Sequence, residues 1–237
     1  MTFLPFDSFC KEAGLSLTCQ KITALQQFAG IFFEKNKVIN LARCGSCEEF
    51  YRKHLLDALM ANQFFTIEPG MKVADLGTGG GLPGIPLAIL YPKAQFTLID
   101  SVEKKLCCVR EFAEKLKLMN IKTSSKRLEV LGQDTAYREI FDLVMSRALA
   151  PLPTLLELAL PLTKVGGTFI AMKGPNYESE LNDAAHAMKV LQISPPEVKY
   201  YELTGEAGKR VLLIFKKLFP TPAQYPRRDG IPKKNPL

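Results

Sequence analysis

Val73-Ala74-Asp75-Leu76-Gly77-Thr78-Gly79-Gly80-Gly81-Leu82-Pro83-Gly84 is the stretch from which the rest of the chain is read. A short apolar run ends in glycines, and the glycines lead into a helical pattern. Glycines at such a place let the backbone turn sharply and let a ligand approach without a Cβ in the way. Pro83 suits a first helical turn, where a missing amide proton costs nothing. Nineteen residues after Gly81 comes Asp100, at the end of the next apolar run. A carboxylate there can accept from both hydroxyls of a ribose. Two cofactors fit this arrangement. Gly79-x-Gly81-x-x-Gly84 matches the dinucleotide fingerprint, with Asp100 at the expected spacing. Yet the glycines begin earlier, as Gly77-x-Gly79-x-Gly81, and the acid Asp75 ends the first strand. A carboxylate does not help a pyrophosphate, whereas the ammonium and sulfonium of S-adenosylmethionine both favour one. The pattern therefore points to S-adenosylmethionine, held by Asp75, Gly77, Gly79, Gly81 and Asp100. No Gly-Lys-Ser/Thr is present, which excludes a P-loop.

Outward from this turn, strands alternate with helices. Strands are expected at 71–76, 95–99, 121–126, 141–145 and 167–172. Helices are expected near 83–91, 102–118, 151–163 and 177–191. Such alternation implies right-handed parallel βαβ units. Val198–Leu203 and Arg210–Lys216, joined by the turn-prone Thr204-Gly205-Glu206-Ala207-Gly208, read as a closing antiparallel pair. Ahead of all this, residues 1–65 read as helical. Thr18 caps a helix with Ile22, Leu25, Phe28, Phe32 and Phe33 at helical period, which makes those phenylalanines core residues. Ser46 and Glu49 form a capping box ahead of Phe50, Leu55, Leu56 and Leu59. The chain thus divides into an N-terminal helical extension (1–68), a cofactor-binding domain (69–217) and a proline-rich tail (218–237).

The formal net charge is +7, and residues 216–237 carry +5 of it. The same tail holds five prolines, so it is expected to be extended rather than helical, either as a solubilising segment or as an arm meeting phosphates. No apolar run is long enough to span a membrane, and Met1–Cys10 lacks the pattern of a secretory signal. Six cysteines do not make a disulfide scaffold in a chain this size, and the cytoplasm is the expected compartment. Cys44-Gly45-Ser46-Cys47 has no second pair at zinc spacing, so no metal is expected. Cys107 and Cys108 are expected to be buried on the helix after the second strand. His54 and Asp57 stand three apart on one helix face, as a hydrogen-bonded pair or as a substrate contact. His186 is expected on a helix surface.

The segment after the fourth strand limits the chemistry. Phe141-Asp142-Leu143-Val144-Met145 runs into Ser146-Arg147-Ala148, without the Pro-Pro-aromatic loop that holds an exocyclic amine. No cysteine follows strand four or five to act as a nucleophile on a pyrimidine ring. What remains needs no base: guanine N7 has an exposed lone pair and no proton to lose, so positioning can carry the reaction. Arg147 and Lys173 lie at the carboxyl edge of the expected sheet, where open α/β sheets bind ligands, and Arg210 stands as a further phosphate contact.

Taken together, these motifs resemble the bacterial ribosomal RNA small-subunit methyltransferase G family, also called glucose-inhibited division protein B. The resemblance runs through His54-Leu55-Leu56-Asp57 and Asp75 to Gly84, then Asp100-Ser101 with Lys104-Lys105 and Arg127-Leu128-Glu129. It continues through Ser146-Arg147-Ala148, Lys173-Gly174 and Arg210 to the ending from Tyr225 to Leu237. It implies a Rossmann-like class I methyltransferase fold, with a mostly parallel seven-stranded sheet between helices, plus the N-terminal helical extension. It implies S-adenosylmethionine-dependent methylation of N7 of one guanosine in 16S rRNA of the small ribosomal subunit, by a monomer. Gly77, Leu82, Leu128, Glu129 and Arg147 are the cofactor residues it implies, with Arg147 also at the reacting centre. Lys173, Arg210, Arg227, Arg228, Lys233 and Lys234 are the expected RNA contacts. An NAD-dependent oxidoreductase and a non-catalytic RNA-binding or assembly factor stand as alternatives.

Overall fold

The computed structural model describes residues 6–203 and 208–237. The turn Thr204-Gly205-Glu206-Ala207 lies outside the described residues. Seven strands form one sheet: β1 Lys72–Leu76, β2 Gln95–Ile99, β3 Ile121–Ser124, β4 Phe141–Arg147, β5 Thr163–Lys173, β6 Glu197–Leu203 and β7 Gly208–Lys216. Their order is β3-β2-β1-β4-β5-β7-β6, parallel except for β7, which pairs antiparallel with both neighbours. The chain moves outward from β1 to β3, then returns to place β4 on the other side of β1. That reversal opens a crevice between β1 and β4 at their carboxyl ends.

The central strands are buried on both faces, which is why they read as unbroken apolar runs rather than alternating ones. One face packs on α2 (Cys19–Asn36), α5 (Gly84–Leu90) and α6 (Glu103–Lys115), together with α1 (Phe6–Glu12), α3 (Cys47–Phe50) and α4 (Leu56–Ala61). The other packs on α7 (Leu128–Gln133), α8 (Leu152–Ala159), α9 (Tyr177–Asp183) and α10 (Ala185–Val190). The N-terminal helices thus share one core with the sheet.

Thr18 caps α2, its hydroxyl accepting from the Lys21 amide. Ser46 caps α3 through the Glu49 amide at 3.1 Å, while the Glu49 carboxylate reaches back to the Gly45 amide rather than to that of Ser46. Phe28 and Phe32 are buried; Phe33 is only half-buried. From α3 the chain passes through a π-helical turn, Tyr51–Leu55, directly into α4. Such turns commonly re-aim side chains at functional sites, and this one carries His54.

Several sequence expectations need correction. The helix expected to reach 163 stops at Ala159, since Pro161 cannot donate an amide, and β5 begins at Thr163. The β4–β5 register shifts between Phe141 and Leu143, opposite Gly167, where a Cβ would lie 2.8 Å from the Lys164 carbonyl oxygen. The helix expected at 177–191 is two helices. Cys107 is exposed and only Cys108 is buried. Pro83 caps α5 instead of entering it. The tail is not extended: it folds back across α7 and α8, turns at Gly230 (φ +78°) and ends in α11, Ile231–Lys234, with Pro232 in the first turn.

Candidate active site: two adjoining pockets at the carboxyl edge

Two pockets open beside the β1–β4 crevice. One, of about 330 Å³, is lined by Gly77, Ile99, Asp100, Ser101, Leu128, Glu129 and Leu158 among others. The second, of about 650 Å³, is lined by His54, Asp57, Arg147, Lys173, Arg210 and their neighbours. Leu149, Ala150 and Pro151 belong to both.

Of the glycine turn, Gly77 lines the first pocket, while Gly79 and Gly81 do not. Gly77, Gly79 and Gly81 have φ of +70°, +56° and +90°, in the left-handed region that disfavours side chains. A Cβ on Gly77 would also meet Leu149 Cδ1 at 2.7 Å. The turn is held from several directions. The Ser146 hydroxyl donates to the Leu76 carbonyl at 3.2 Å, and the Gly79 amide donates to Asp100 Oδ2 at 2.9 Å. Asp100 Oδ1 accepts from the Val102 amide, so its carboxylate plane is fixed while each oxygen keeps lone-pair capacity for a hydroxyl.

Asp75 does not line the pocket. It is buried beneath the turn, with Oδ2 accepting from Thr78 Oγ1 at 2.7 Å and the Gly84 amide at 2.9 Å. Burial pushes its carboxyl up to about 6, against the pull of those two bonds and of the Arg147 charge. Asp75 Oδ1 accepts nothing among the described residues. Its first role is thus to brace the turn. Gly84 lies so close to Leu98 and Asp75 that a Cβ would clash, so it serves helix–strand packing and not phosphate approach. Leu82 is likewise buried behind the turn. Of the expected cofactor residues, Gly77, Asp100, Leu128 and Glu129 line the first pocket, and Arg147 lines the second.

Arg147 ends β4, and its guanidinium donates to Asp57 Oδ2 at 3.0 Å. Asp57 comes from α4, is only 3% exposed, and accepts from the Tyr201 hydroxyl at 2.7 Å through its other oxygen. Arg210 Nε stands 3.7 Å from that same oxygen. One acid therefore ties the N-terminal helices to β4, β6 and β7. Burial and the Asp57 carboxylate push the Tyr201 phenol upward, so it stays a donor. Asp57 thus bonds Arg147 and not His54, contrary to the pairing expected from their spacing. The His54 ring packs at a tilt against Phe50, and neither ring nitrogen makes a hydrogen bond among the described residues. Burial, then the Arg147 charge, holds its imidazole down at about 4; the Arg43 backbone opposes this electrostatically without reaching hydrogen-bond geometry.

Lys173 is not free for solvent. Its ammonium donates to the Ala150 carbonyl at 3.0 Å and to Glu180 at 2.6 Å, and Glu180 also accepts from the Leu152 amide. Lys173 therefore fixes the loop shared by the two pockets. Arg227 is spent on Glu157, while Arg228, Lys233 and Lys234 are exposed. The sequence reading missed Asp57 as the partner of Arg147. The His54-x-x-Asp57 spacing marked the residue, but its partner lies ninety residues on. No signal marked Tyr201. No group of three or more metal-ligating side chains occurs among the described residues.

The model of the family described as GidB, rRNA small subunit methyltransferase G, matches residues 21–207. The chain belongs to this family. It is 40% identical over 230 residues to Ribosomal RNA small subunit methyltransferase G of Moorella thermoacetica, covering 97% of this chain and 96% of that protein. It is 36% identical over 237 residues to the protein of that name from Bacillus cytotoxicus, covering 100% and 99%. Among solved structures, TrmN from Thermus thermophilus superposes with a TM-score of 0.54 at 19% identity, covering 71% of this chain and 53% of that one. A SAM dependent methyltransferase from Aquifex aeolicus gives 0.51 at 18% identity, covering 70% and 91%. These structures show the class I methyltransferase fold. Membership of the methyltransferase G family makes the chain a methyltransferase and leaves the oxidoreductase and non-catalytic readings without support. Among the described residues, no helix is long and apolar enough to cross a membrane.

Proposed function

We propose that this methyltransferase uses S-adenosylmethionine to methylate N7 of one guanosine in 16S rRNA, with the cofactor in the smaller pocket and the guanosine in the larger. The observation that carries the reading is the shared wall Leu149-Ala150-Pro151: two sites that must exchange a methyl group abut there. The smaller pocket suits the cofactor's parts. Asp100, oriented by two backbone amides, faces it as a ribose acceptor, and Ile99, Leu128 and Leu158 offer apolar surface for a purine. Gly77, having no Cβ, lets Leu149 close against the turn, and Asp75 adds a buried negative charge beneath it.

When bound in the smaller pocket, beside Gly77, Asp100, Leu128 and Glu129, S-adenosylmethionine would supply an electrophilic methyl group for the N7 lone pair. The protein's residues have no proton to remove from N7. Their work is placement, which can be worth roughly 7–11 kcal/mol of barrier. Arg147 fixes the guanosine at the mouth of the shared wall. Asp57 holds Arg147 in one orientation and offsets its charge, which would otherwise oppose the positive charge growing on the purine. Lys173 sets the loop, and Arg210 and Lys53 give the larger pocket cationic edges suited to phosphate. Neutral His54 closes one side without adding charge.

The test is to incubate the protein and methyl-labelled cofactor with small ribosomal subunits lacking the modification, then map the label. Label at one guanine N7 is expected; none at any guanine N7 would sink the reading. Asp57→Asn should lower kcat about tenfold or more while leaving S-adenosylhomocysteine affinity unchanged, since the acid touches only the larger pocket.

A further inference from the structure

The tail outside the sheet has more contacts with the cofactor pocket than a solubilising segment requires. Its path is held by polar groups that range from exposed (Gln133) to fully buried (Glu157). Thr221 donates its amide to Glu139 Oε1 at 2.7 Å, and the Arg138 guanidinium donates to the carbonyls of Thr221 and Tyr225 at 2.8 Å each. Gln133 donates to the Pro226 carbonyl at 2.9 Å, and Pro226 lies so close to α7 that a Cβ on Gly132 would meet its ring at 2.7 Å. Arg227 then donates three times to Glu157, from its amide, Nε and a terminal nitrogen, and Glu157 is 0% exposed. Two further bonds come from residues that themselves line the smaller pocket. Glu129 Oε1 accepts from the Gly230 amide at 3.1 Å, and the Thr154 hydroxyl donates to the Pro232 carbonyl at 2.9 Å. Beyond these anchors, Gly230, Lys233 and Pro236 line the pocket directly.

We propose that the tail segment Gly230–Pro236 is the outer wall of the cofactor pocket over its adenosine end, and that its docking and cofactor binding stabilise each other. The proposal rests on the smaller pocket being the S-adenosylmethionine site. Asp100 marks the ribose within it. Glu129, which carries the Gly230 bond, follows β3, whereas Gly77 and the shared wall with the guanosine pocket follow β1 and β4. The tail therefore covers the side remote from the reacting methyl. Without it, Leu128, Glu129 and Leu158 would face solvent across that opening. Glu129 and Thr154 couple the two events, because each contacts the tail and the pocket at once. A nucleoside carrying a purine ring is the chemical class such a wall suits, with flat apolar surface from Pro236 and Leu158 and a polar edge at Glu129.

Two measurements test this on the full-length chain. In the first, wild-type protein is digested with trypsin with and without saturating S-adenosylhomocysteine, and cuts after Arg228, Lys233 and Lys234 are followed by mass spectrometry. Cofactor should slow these cuts several-fold relative to cuts elsewhere, by linkage between docking and binding. In the second, a Lys233→Ala, Pro236→Ala double variant is titrated with S-adenosylhomocysteine by calorimetry. Neither side chain takes part in the anchoring bonds, so the cofactor-free melting temperature should stay near the wild-type value. The dissociation constant should rise about 5- to 20-fold, the scale of removing a few apolar contacts. If wild-type protein binds S-adenosylhomocysteine but the tail is cut equally in both states and the variant binds as tightly, the proposal is overturned while the cofactor site stands. If the variant instead loses affinity for small-subunit RNA with a shallower salt slope and keeps cofactor affinity, the tail is an RNA arm and the proposal is again overturned. If wild-type protein binds no S-adenosylhomocysteine at all, the assignment of the pocket itself fails.

Discussion

The N-terminal helices and the C-terminal tail both lie outside the alternating strand–helix core, and they attach to it in opposite ways. The helices bury aromatic rings: Phe32 stacks on Phe50 with centroids 4.5 Å apart, and Phe28 and Phe112 pack around them. The same Phe32 ring presses on the glycine turn, where a Cβ on Gly80 would lie 2.5 Å from it. The tail buries Pro226 and Pro232 and packs Tyr225 and Leu237 against the second core cluster, but its path is set by directed polar bonds to Arg138, Glu157, Glu129 and Thr154. The helices deliver one acid, Asp57, to the larger pocket; the tail lines the smaller. Apolar packing leaves a periodic trace in a sequence, whereas side-chain-to-backbone bonding across some ninety residues leaves none.

Substitutions can sharpen this contrast, beginning with the one of largest effect. Phe32→Ala should cost about 3–5 kcal/mol, the scale of emptying a fully buried aromatic site. A loss under 1 kcal/mol by urea unfolding would mean the aromatic cluster is not what joins α2 to the sheet. Glu157→Gln should cost about 2–3 kcal/mol, less than a fully enclosed ion pair would, because Arg227 is partly solvated. Its signature should be local: early tryptic cuts in the tail, with the N-terminal helices still protected. Simultaneous release of both regions would erase the distinction between them.

A third prediction uses pH. The His54 imidazole is held down at about 4 from its ordinary 6.5, chiefly by burial. The unfolded chain therefore takes up a proton first as pH falls. The stabilisation is complete above about 6.5 and is lost between there and about 4. His54→Phe should remove that dependence, narrowing the stability difference between pH 7 and pH 4.5 by on the order of 2 kcal/mol. Parallel stability–pH curves for the two proteins would show that His54 is protonated freely in the fold. The smallest effect is expected from Ser46→Ala, about 1 kcal/mol for a lost N-cap. An unchanged melting temperature would show that the Glu49–Gly45 bond alone holds the start of α3.

Much of the fold was readable because each βαβ unit writes its own local pattern. The strand, glycine turn and helix from Val73 to Gly84 carry their geometry in consecutive residues, and Thr18 and Ser46 mark their helix starts. Pro161 marked a helix end that an apolar run had obscured. The site was less readable. Gly77, Asp100, Leu128 and Glu129 line one pocket, because topology brings the carboxyl ends of β1, β2 and β3 together. The Asp57–Arg147 bond depends on where α4 docks, and docking angle is not written in either local sequence. The tail was misread because counting its charges and prolines describes an isolated peptide. Arg227 is cationic, but its counter-ion is Glu157, seventy residues earlier.

The loop Leu149-Ala150-Pro151 has a thermodynamic meaning beyond its position. Ala148 before it sits at φ +53°, and Leu149 rests against Gly77, so the loop has little slack. Any ligand that moves Leu149 in one pocket reshapes the other. Reciprocity then requires that the factor by which the methyl donor alters RNA affinity equal the factor by which RNA alters donor affinity. Whether the two add in a fixed order or at random becomes a question about the stiffness of three residues, and the spent donor and the methylated product share the same wall when they depart.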